Sequence, residues 1–262
     1  MIGPTPIPLG EPVPGSSFVG LLDSLGLAPR WEVPPGATPA GLPEGTTVLA
    51  LRHEEGVVMA GDRQATEGHL VAHRYIQKVF PADRFSAVAI AGTAGLAMEL
   101  VRLFQVELEH YEKIEGTRLS LEGKANFLAR LVRGQLPMAM QGLVVVPMFA
   151  GYDETDRRGR LFTFDVVGGR YEERDYGSTG SGARLAKSYL RSVYRPDVDR
   201  VRAVELAVAA LVAASEEDTA TGGPDLRRGI LPNVYSIDAQ GVHEVDEAEV
   251  RAAAERAVEE AL

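Results

Sequence analysis

The sequence predicts an α+β fold in which pairs of helices cover a β core. Runs rich in β-branched residues come in pairs separated by short polar turns, and helical patterns also follow one another in pairs. A third observation confines the domain to residues 46–262, because ten of the chain's 16 prolines fall within residues 1–45. Proline fixes φ and removes an amide donor, so we expect neither a long helix nor a central strand in that leader.

The elements of the first half follow from hydrophobic periodicity. Thr47–His53 and Gly56–Gly61 are rich in β-formers and predict a hairpin, and the apolar run Phe85–Gly92 predicts a buried strand. A helix is predicted over residues 94–112 because large apolar residues recur on one face: Leu96, Leu100, Leu103, Phe104 and Leu108. A second helix is predicted from Ser120, a residue type suited to an N-cap, to just before Pro137.

The second half repeats the order of strands, then helices. A charged turn at residues 153–159 separates two apolar runs, and the next two segments have helical spacing. The second of these is rich in alanine and valine, so we expect it to be buried on much of its surface. The predicted elements are strands Gly142–Tyr152 and Arg160–Val166, helices at residues 183–194 and 199–215, a strand Val234–Ile237 and a helix from Asp246.

Composition excludes several classes of function. The 262 residues contain no cysteine, which excludes disulfides, thiol catalysis and cysteine-ligated metals, and weakly favours the cytoplasm. With 37 carboxylates against 27 Lys and Arg, the net charge of −10 argues against broad binding to nucleic acid. No apolar run reaches the roughly 18 residues that a membrane span needs. We expect no metal site and no organic cofactor.

Two motifs are weaker candidates for a functional site. The histidines His53, His69, His73, His110 and His243 include no HExxH pair, and we expect each to be a surface or strand residue. Gly177–Gly182 precedes a helix and could hold a phosphate, but it lacks the lysine of a P-loop. The glycines there favour a tight turn with a hydroxyl at its tip.

The strongest chemical candidate lies at the boundary between leader and domain. The leader is either a disordered tail or a propeptide; if it is cut at Gly45–Thr46, the new chain end carries a hydroxyl and an α-amine in one residue. An α-amine has a pKa of about 7.7–8.0, so it can act as the base that activates its own hydroxyl. Such a site needs a cation and a carboxylate to hold it, and Lys78 and Asp62 supply both, although either could also be an ordinary strand or turn residue.

Six short motifs stand in a characteristic order and spacing: Gly45-Thr46-Thr47, Gly61-Asp62, Lys78-Val79, Ala91-Gly92-Thr93, Gly180-Ser181-Gly182 and Asp218–Gly223. In these motifs the chain resembles proteasome β subunits of the actinobacterial 20S type, and the resemblance covers residues 46–262. It implies the four-layer αββα sandwich of the N-terminal-nucleophile hydrolases. It also implies a threonine-type endopeptidase, made as an inactive precursor, whose residues 1–45 are removed by autocatalytic cleavage between Gly45 and Thr46.

The resemblance also assigns roles to single residues. Thr46 would be the nucleophile, with its α-amine acting through a water as general base, and Asp62 would orient Lys78 beside it. The Gly92 N–H would stabilise the oxyanion. Ser181, Asp218 and Thr221 would position the amine and the water; Thr221 departs from the serine often found there but keeps the hydroxyl.

Substrate preference is inferred from the same offsets. The residues lining the first specificity pocket would be uncharged: Ala65, Ile76, Phe80, Ile90, Ala94 and Met98. An apolar or aromatic side chain before the cut bond is therefore expected, because a buried charge without a partner is costly. Thr66, with Gly92 and Ala94, would pair with an extended peptide, although each of these residues could equally serve packing.

The family's partners become expectations for this chain. They are a homo-heptameric β ring stacked on a second β ring and on α-subunit rings, a ring ATPase reached through the α rings, and unfolded or tagged protein substrates. Three alternatives stay open: the related shorter two-component bacterial protease, a noncatalytic ring subunit, and a small-amide hydrolase of the same superfamily. Length disfavours the first, the presence of Thr46 and Lys78 the second, and the absence of cysteine narrows the third.

Overall fold

The computed structural model describes residues 46–67 and 70–261. The predicted leader, residues 1–45, lies outside these residues, so its removal stays a prediction. The described strands form two antiparallel five-stranded sheets and one separate hairpin. Their bounds are β1 Thr47–His53, β2 Gly56–Gly61, β3 Ala65–Glu67, β4 Leu70–His73, β5 Val79–Asp83, β6 Ser86–Gly92, β7 Val145–Asp153, β8 Arg158–Phe164, β9 Arg170–Glu173, β10 Tyr176–Gly180, β11 Asn233–Asp238 and β12 Gly241–Glu244.

The first sheet has the order β10-β1-β2-β11-β12 and the second the order β5-β6-β7-β8-β9, while β3 and β4 pair only with each other. Helices cover the outer face of each sheet. Their bounds are α1 Ala94–Glu115, α2 Leu121–Gly134, α3 Leu136–Ala139, α4 Ala183–Val193, α5 Arg200–Glu217 and α6 Glu247–Ala261.

Alternation along β1 shows how the layers are built. Successive side chains of a strand point to opposite faces. Val48 and Ala50 pack between the two sheets against residues such as Ala89 and Met148, whereas Leu49 and Leu51 pack against the helices of the outer layer. Both sets are fully buried, because β1 is covered on both faces. The predicted αββα sandwich is therefore confirmed.

Each helical layer has its own apolar cluster. Phe104 of α1 stacks against Phe127 of α2 and meets Phe149 of the second sheet edge to face. Helix α5 is buried along most of its length beneath α4 and α6, as its alanine and valine content predicted. Its N-terminus is capped by Asp199, and Ser120 caps α2 as expected.

Several parts of the secondary structure differ from the sequence prediction, among them the short helix α3, which was not predicted. Strands β3–β5 were not predicted, because residues 65–83 mix charges with short apolar runs. Strands β9 and β12 were also missed. The expected tight turn over Gly177–Gly182 was wrong for most of its length, since Tyr176–Gly180 forms β10 and only residues 181–182 turn. Glycine is a poor strand former, and pairing with β1 supplies the hydrogen bonds that favour the extended chain here.

The sheet topology brings several strand ends to one place. Because β1 runs antiparallel to both neighbours, its first residue, Thr47, lies opposite Gly180 at the end of β10, and Val48 lies opposite Gly61 at the end of β2. Thr46 therefore sits beside the loops that follow two other strands. No helix of residues 46–67 and 70–261 is long and apolar enough to cross a membrane.

Candidate active site

Thr46, immediately before β1, is held by the loop after β10. Its carbonyl oxygen accepts a hydrogen bond from the Ser181 backbone N–H at 2.9 Å. Gly180 makes this approach possible: its φ is +105°, and a Cβ on it would lie 1.9 Å from the Thr46 carbonyl oxygen. Any other residue would push the chain away from Thr46. Thr46 is buried.

Asp62, one residue beyond β2, is the best-satisfied carboxylate of the site. It is fully buried, and Oδ1 accepts from Lys78 Nζ at 2.6 Å and from the Thr47 N–H at 2.8 Å. Oδ2 accepts from the N–H groups of Gln64 at 2.9 Å and Gly222 at 3.0 Å. Four donors compensate for the loss of water around a buried carboxylate. Asp62 thus joins β1, the loop after β2 and the loop after α5.

Lys78 lies one residue before β5, with only 2% of its surface exposed. Besides Asp62, its ammonium contacts the Gln64 carbonyl oxygen at 2.5 Å. Burial lowers the pKa of Lys78, whereas the negative charges of Asp62 and, more weakly, Asp218 act to raise it. Gly61 allows the close packing, since a Cβ there would come within 3.2 Å of the Lys78 Cβ.

A second group of polar side chains, a hydroxyl cluster, lies around Asp218 at the end of α5. Asp218 Oδ2 is 2.6 Å from both the Ser181 hydroxyl and the Thr221 hydroxyl. The Ser181 hydroxyl is also 3.3 Å from the Thr46 carbonyl oxygen. Three of the predicted site residues therefore form one connected group beside Thr46.

Gly92, at the end of β6, has a φ of +111°, and a Cβ on it would lie 2.1 Å from the Val144 carbonyl oxygen. Glycine is required at this bend. Gly92 and Gly180 line the same pocket of about 260 Å³. Apolar residues also line it, among them Val144, just before β7, and Val146 of β7. Because Gly180 contacts Thr46, this pocket adjoins the candidate site and leaves room for a ligand there.

The residues predicted to line the specificity pocket lie on β3, β5, β6, the start of α1 and the loop before β5. Ala65 and Thr66 are buried on β3, and Ile76 is half-buried in the loop before Lys78. Phe80 and Ile90 are buried in the apolar cluster beneath α1, so packing accounts for much of their surface. Ala94 and Met98 are on the first turns of α1, where Met98 is 47% exposed. The pocket stays a prediction.

Four contributors to the site were not predicted: Thr47, Gln64, Gly182 and Gly222. Gln64 and Gly222 act through backbone groups, which no side-chain pattern reveals. Thr47 looks like a strand residue in the sequence, and only the structure shows its hydroxyl 2.5 Å from that of Thr221.

Four of the five histidines fall within the described residues. His53 is buried on β1, whereas His73, His110 and His243 are exposed; His69 is outside the described residues. No group of histidines and carboxylates within 46–67 and 70–261 could hold a metal ion.

The αββα sandwich is the fold of the N-terminal-nucleophile hydrolases, and here a threonine precedes a strand of its first sheet, near a Lys–Asp pair and a Ser–Asp–Thr cluster. Comparison with known proteins gives the family. Residues 43–225 match the family described as "Proteasome subunit". A "Proteasome subunit beta" of Acidimicrobium ferrooxidans is 55% identical over 244 residues, 92% of this chain and 89% of the relative.

Two further relatives carry the same description. The protein of Stackebrandtia nassauensis is 52% identical over 257 residues, 95% of this chain and 92% of the relative. That of Acidothermus cellulolyticus is 55% identical over 216 residues, 81% of this chain and 74% of the relative. The chain therefore belongs to the proteasome subunit family. The predicted resemblance is confirmed, and with it the assignment as a catalytic β subunit of a proteasome.

Proposed function

We propose that this chain is a threonine-type endopeptidase that becomes active when its own Gly45–Thr46 bond is hydrolysed. Family membership supports the coarser statement, a protease of the proteasome. The finer statement is supported by one observation: Ser181 of the Asp218 cluster contacts the Thr46 carbonyl oxygen, and the next residue, Thr47, donates its N–H to Asp62, the partner of Lys78.

The self-cleavage creates the base that the reaction needs. Before it, the nitrogen of Thr46 is an amide and cannot take a proton. Hydrolysis of the Gly45–Thr46 bond consumes one water, leaves a carboxylate on Gly45 and releases the α-amine of Thr46. This amine, with a reference pKa of about 7.7–8.0, is partly neutral near pH 7. The nearby Lys78 ammonium lowers the pKa of the amine further by like-charge repulsion.

Peptide hydrolysis would then run in two steps. The Thr46 hydroxyl attacks the substrate carbonyl carbon while its proton passes, through a water, to the α-amine. The Gly92 N–H donates to the oxyanion, and the proton moves on to the leaving amine as the peptide bond breaks. Water then attacks the resulting ester and restores the Thr46 hydroxyl. Every step uses groups of the chain and water.

Substrate choice follows from the uncharged residues expected around the first pocket. An acidic side chain before the cut bond would lose its hydration there without gaining a partner. We propose apolar or aromatic side chains at that position, in an extended peptide that pairs with Thr66, Gly92 and Ala94.

Membership of the family implies assembly into proteasome rings. We propose a ring of seven copies, stacked on a second such ring and on rings of α subunits, working in the cytoplasm with a ring ATPase on unfolded or tagged proteins.

The test compares wild-type and Thr46→Ala chains, each assembled with α subunits. Wild type should cut apolar peptides, and Thr46→Ala should show neither turnover nor removal of the leader. A processed and active Thr46→Ala particle would refute the nucleophile. A wild-type particle that does not hydrolyse peptides would contradict the proposed reaction.

A further inference from the structure

Thr47 occupies a position between the two halves of the site. It is fully buried, and its backbone N–H donates to Asp62 Oδ1 at 2.8 Å. Its hydroxyl oxygen is 2.5 Å from the Thr221 hydroxyl oxygen and accepts from the Gly182 N–H at 2.9 Å. One residue thus contacts both the Lys78–Asp62 side and the Asp218 side, immediately after the proposed nucleophile.

Counting protons fixes the direction of the hydrogen bonds that link Gly182, Thr47, Thr221 and Asp218. A hydroxyl carries one proton, and an ionised carboxylate only accepts. The Thr221 hydroxyl is 2.6 Å from Asp218 Oδ2, so its proton points to Asp218 and its oxygen accepts from Thr47. Thr47 therefore donates to Thr221 and accepts from Gly182. The order is Gly182 N–H to Thr47, Thr47 to Thr221, and Thr221 to Asp218.

The absence of a side chain at Gly182 permits the contact between the Thr47 and Thr221 hydroxyls. A Cβ on Gly182 would lie 2.6 Å from the hydroxyl oxygens of both Thr47 and Thr221. A valine at position 47 would suit a fully buried strand start at least as well as threonine. The buried hydroxyl requires partners, and the structure supplies a donor and an acceptor at normal distances.

We propose that Thr47 is a positioning residue for the proposed peptidase reaction, in which its hydroxyl holds the Thr221 hydroxyl in the orientation that donates to Asp218. The inference rests on the proposed function. Without the Thr47 donor, the Thr221 hydroxyl is free to turn, and Asp218 loses one of two short hydroxyl bonds. The other comes from Ser181, whose backbone N–H holds the Thr46 carbonyl. Disorder of the Asp218 side chain would therefore disturb Ser181 and, through it, the position of Thr46. We expect the chemical step to slow and substrate binding to be unchanged.

The first test uses assembled particles carrying Thr47→Val, which keeps the β-branch and volume, with Thr47→Ser as the matched control that keeps the hydroxyl. For an apolar peptide, Thr47→Val should lower kcat by about 10- to 100-fold, the scale of one hydrogen bond in a charged network, with KM changed less than about twofold. Thr47→Ser should restore most of kcat. Wild-type kcat in Thr47→Val, or an equal loss in Thr47→Ser, would overturn the proposal.

A double-mutant comparison separates positioning from packing. If Thr47 acts through Thr221, adding Thr47→Val to Thr221→Val should lower kcat by less than about twofold beyond Thr221→Val alone. Independent losses that multiply would contradict the proposal. If Thr47→Val does not assemble, Thr47→Cys, which is close to serine in shape but a weak donor, replaces it in both tests.

The two proposals fail in different ways. An inactive wild-type particle, or an active Thr46→Ala particle, removes the proposed function. An active wild type with inactive Thr46→Ala, but no effect of Thr47→Val, removes only the role of Thr47.

Discussion

Within residues 46–67 and 70–261, two lysine–aspartate pairs are largely buried and look alike, but they differ in what surrounds them. Lys78 and Asp62 are 2.6 Å apart, with side-chain exposures of 3% and 0%. Lys124 of α2 and Asp83 at the end of β5 are 2.5 Å apart, with exposures of 6% and 14%. By distance and burial alone, neither pair is marked as catalytic.

Their neighbours distinguish the two pairs. Asp83 accepts from the Phe85 N–H and from the Ser86 hydroxyl, so its contacts stay within the β5–β6 turn. Asp62 also accepts from Thr47, next to the proposed nucleophile, and from the loop that carries Thr221 and Gly222. A buried ion pair is thus weak evidence of function. The distinguishing feature of the Lys78–Asp62 pair is its hydrogen bond to Thr47, the neighbour of the proposed nucleophile.

The largest expected effect separates the pairs by one matched substitution. Lys78→Met and Lys124→Met each remove an ammonium and keep an unbranched apolar side chain. Lys78→Met should lower peptide turnover by at least about 10³-fold and leave the leader attached, because the cation proposed to act on Thr46 is gone. The measurements are kcat on an apolar peptide and the intact mass of the assembled chain.

Lys124→Met is the control. Leaving Asp83 buried without its partner costs on the order of 3–5 kcal/mol, so its Tm should fall, but the leader should be removed and the assembled fraction should turn over peptide normally. Normal turnover in Lys78→Met would make Lys78 a second structural lysine. Loss of turnover in well-assembled Lys124→Met would erase the distinction.

A smaller effect is expected from a change in the hydroxyl cluster around Asp218. Thr221→Val removes the hydroxyl that donates to Asp218, and we expect kcat to fall about 10- to 100-fold. Thr221→Ser keeps the donor and should lose no more than about threefold. Equal kcat in the valine and serine variants would mean that the hydroxyl of Thr221 plays no part in turnover.

The smallest effect concerns His53, a buried titratable group without a charged partner in hydrogen-bond contact. Its Nδ1 accepts from the Glu55 N–H at 3.3 Å, and Nε2 has no partner among the described residues. Burial lowers the pKa of His53 from 6.5 to about 4; the Arg200 charge lowers it as well, and the Asp238 and Asp199 charges act to raise it. Between these values the unfolded chain takes up a proton that the folded chain does not.

The contribution of neutral His53 to the free energy of unfolding is therefore fully present above about pH 6.5 and is lost as the pH falls toward 4. We expect the urea midpoint to drop from pH 7 to pH 5, and to drop less in His53→Asn, which keeps an acceptor near the Glu55 N–H. His243→Asn, at an exposed position, is the control and should behave like wild type. An unchanged pH dependence in His53→Asn would show that other groups dominate.

The sequence predicted the fold well where periodicity was strong. Helix α5 was placed to within two residues at each end, and the β1–β2 hairpin was correct. It failed at β10, where glycines suggested a turn, because pairing with β1 overrides a weak local preference. It also missed β3–β5, whose short runs do not alternate clearly.

For the site, residue types and spacing were enough to single out Thr46, Asp62 and Lys78. The Asp218 group came from the family resemblance, and the structure joins it through side chains. Thr47 could not be found, because a threonine in a strand is ordinary until its hydroxyl is seen to have two buried partners. The backbone donors of Gln64 and Gly222 depend on tertiary contacts that no local pattern encodes.

The central claim, that cleavage before Thr46 creates the working residue, is tested most directly by the intact mass of the chain in an active particle. We predict a mass that corresponds to a chain beginning at Thr46, with its α-amine free. A chain still beginning at Met1 in a particle that hydrolyses peptides would contradict the account.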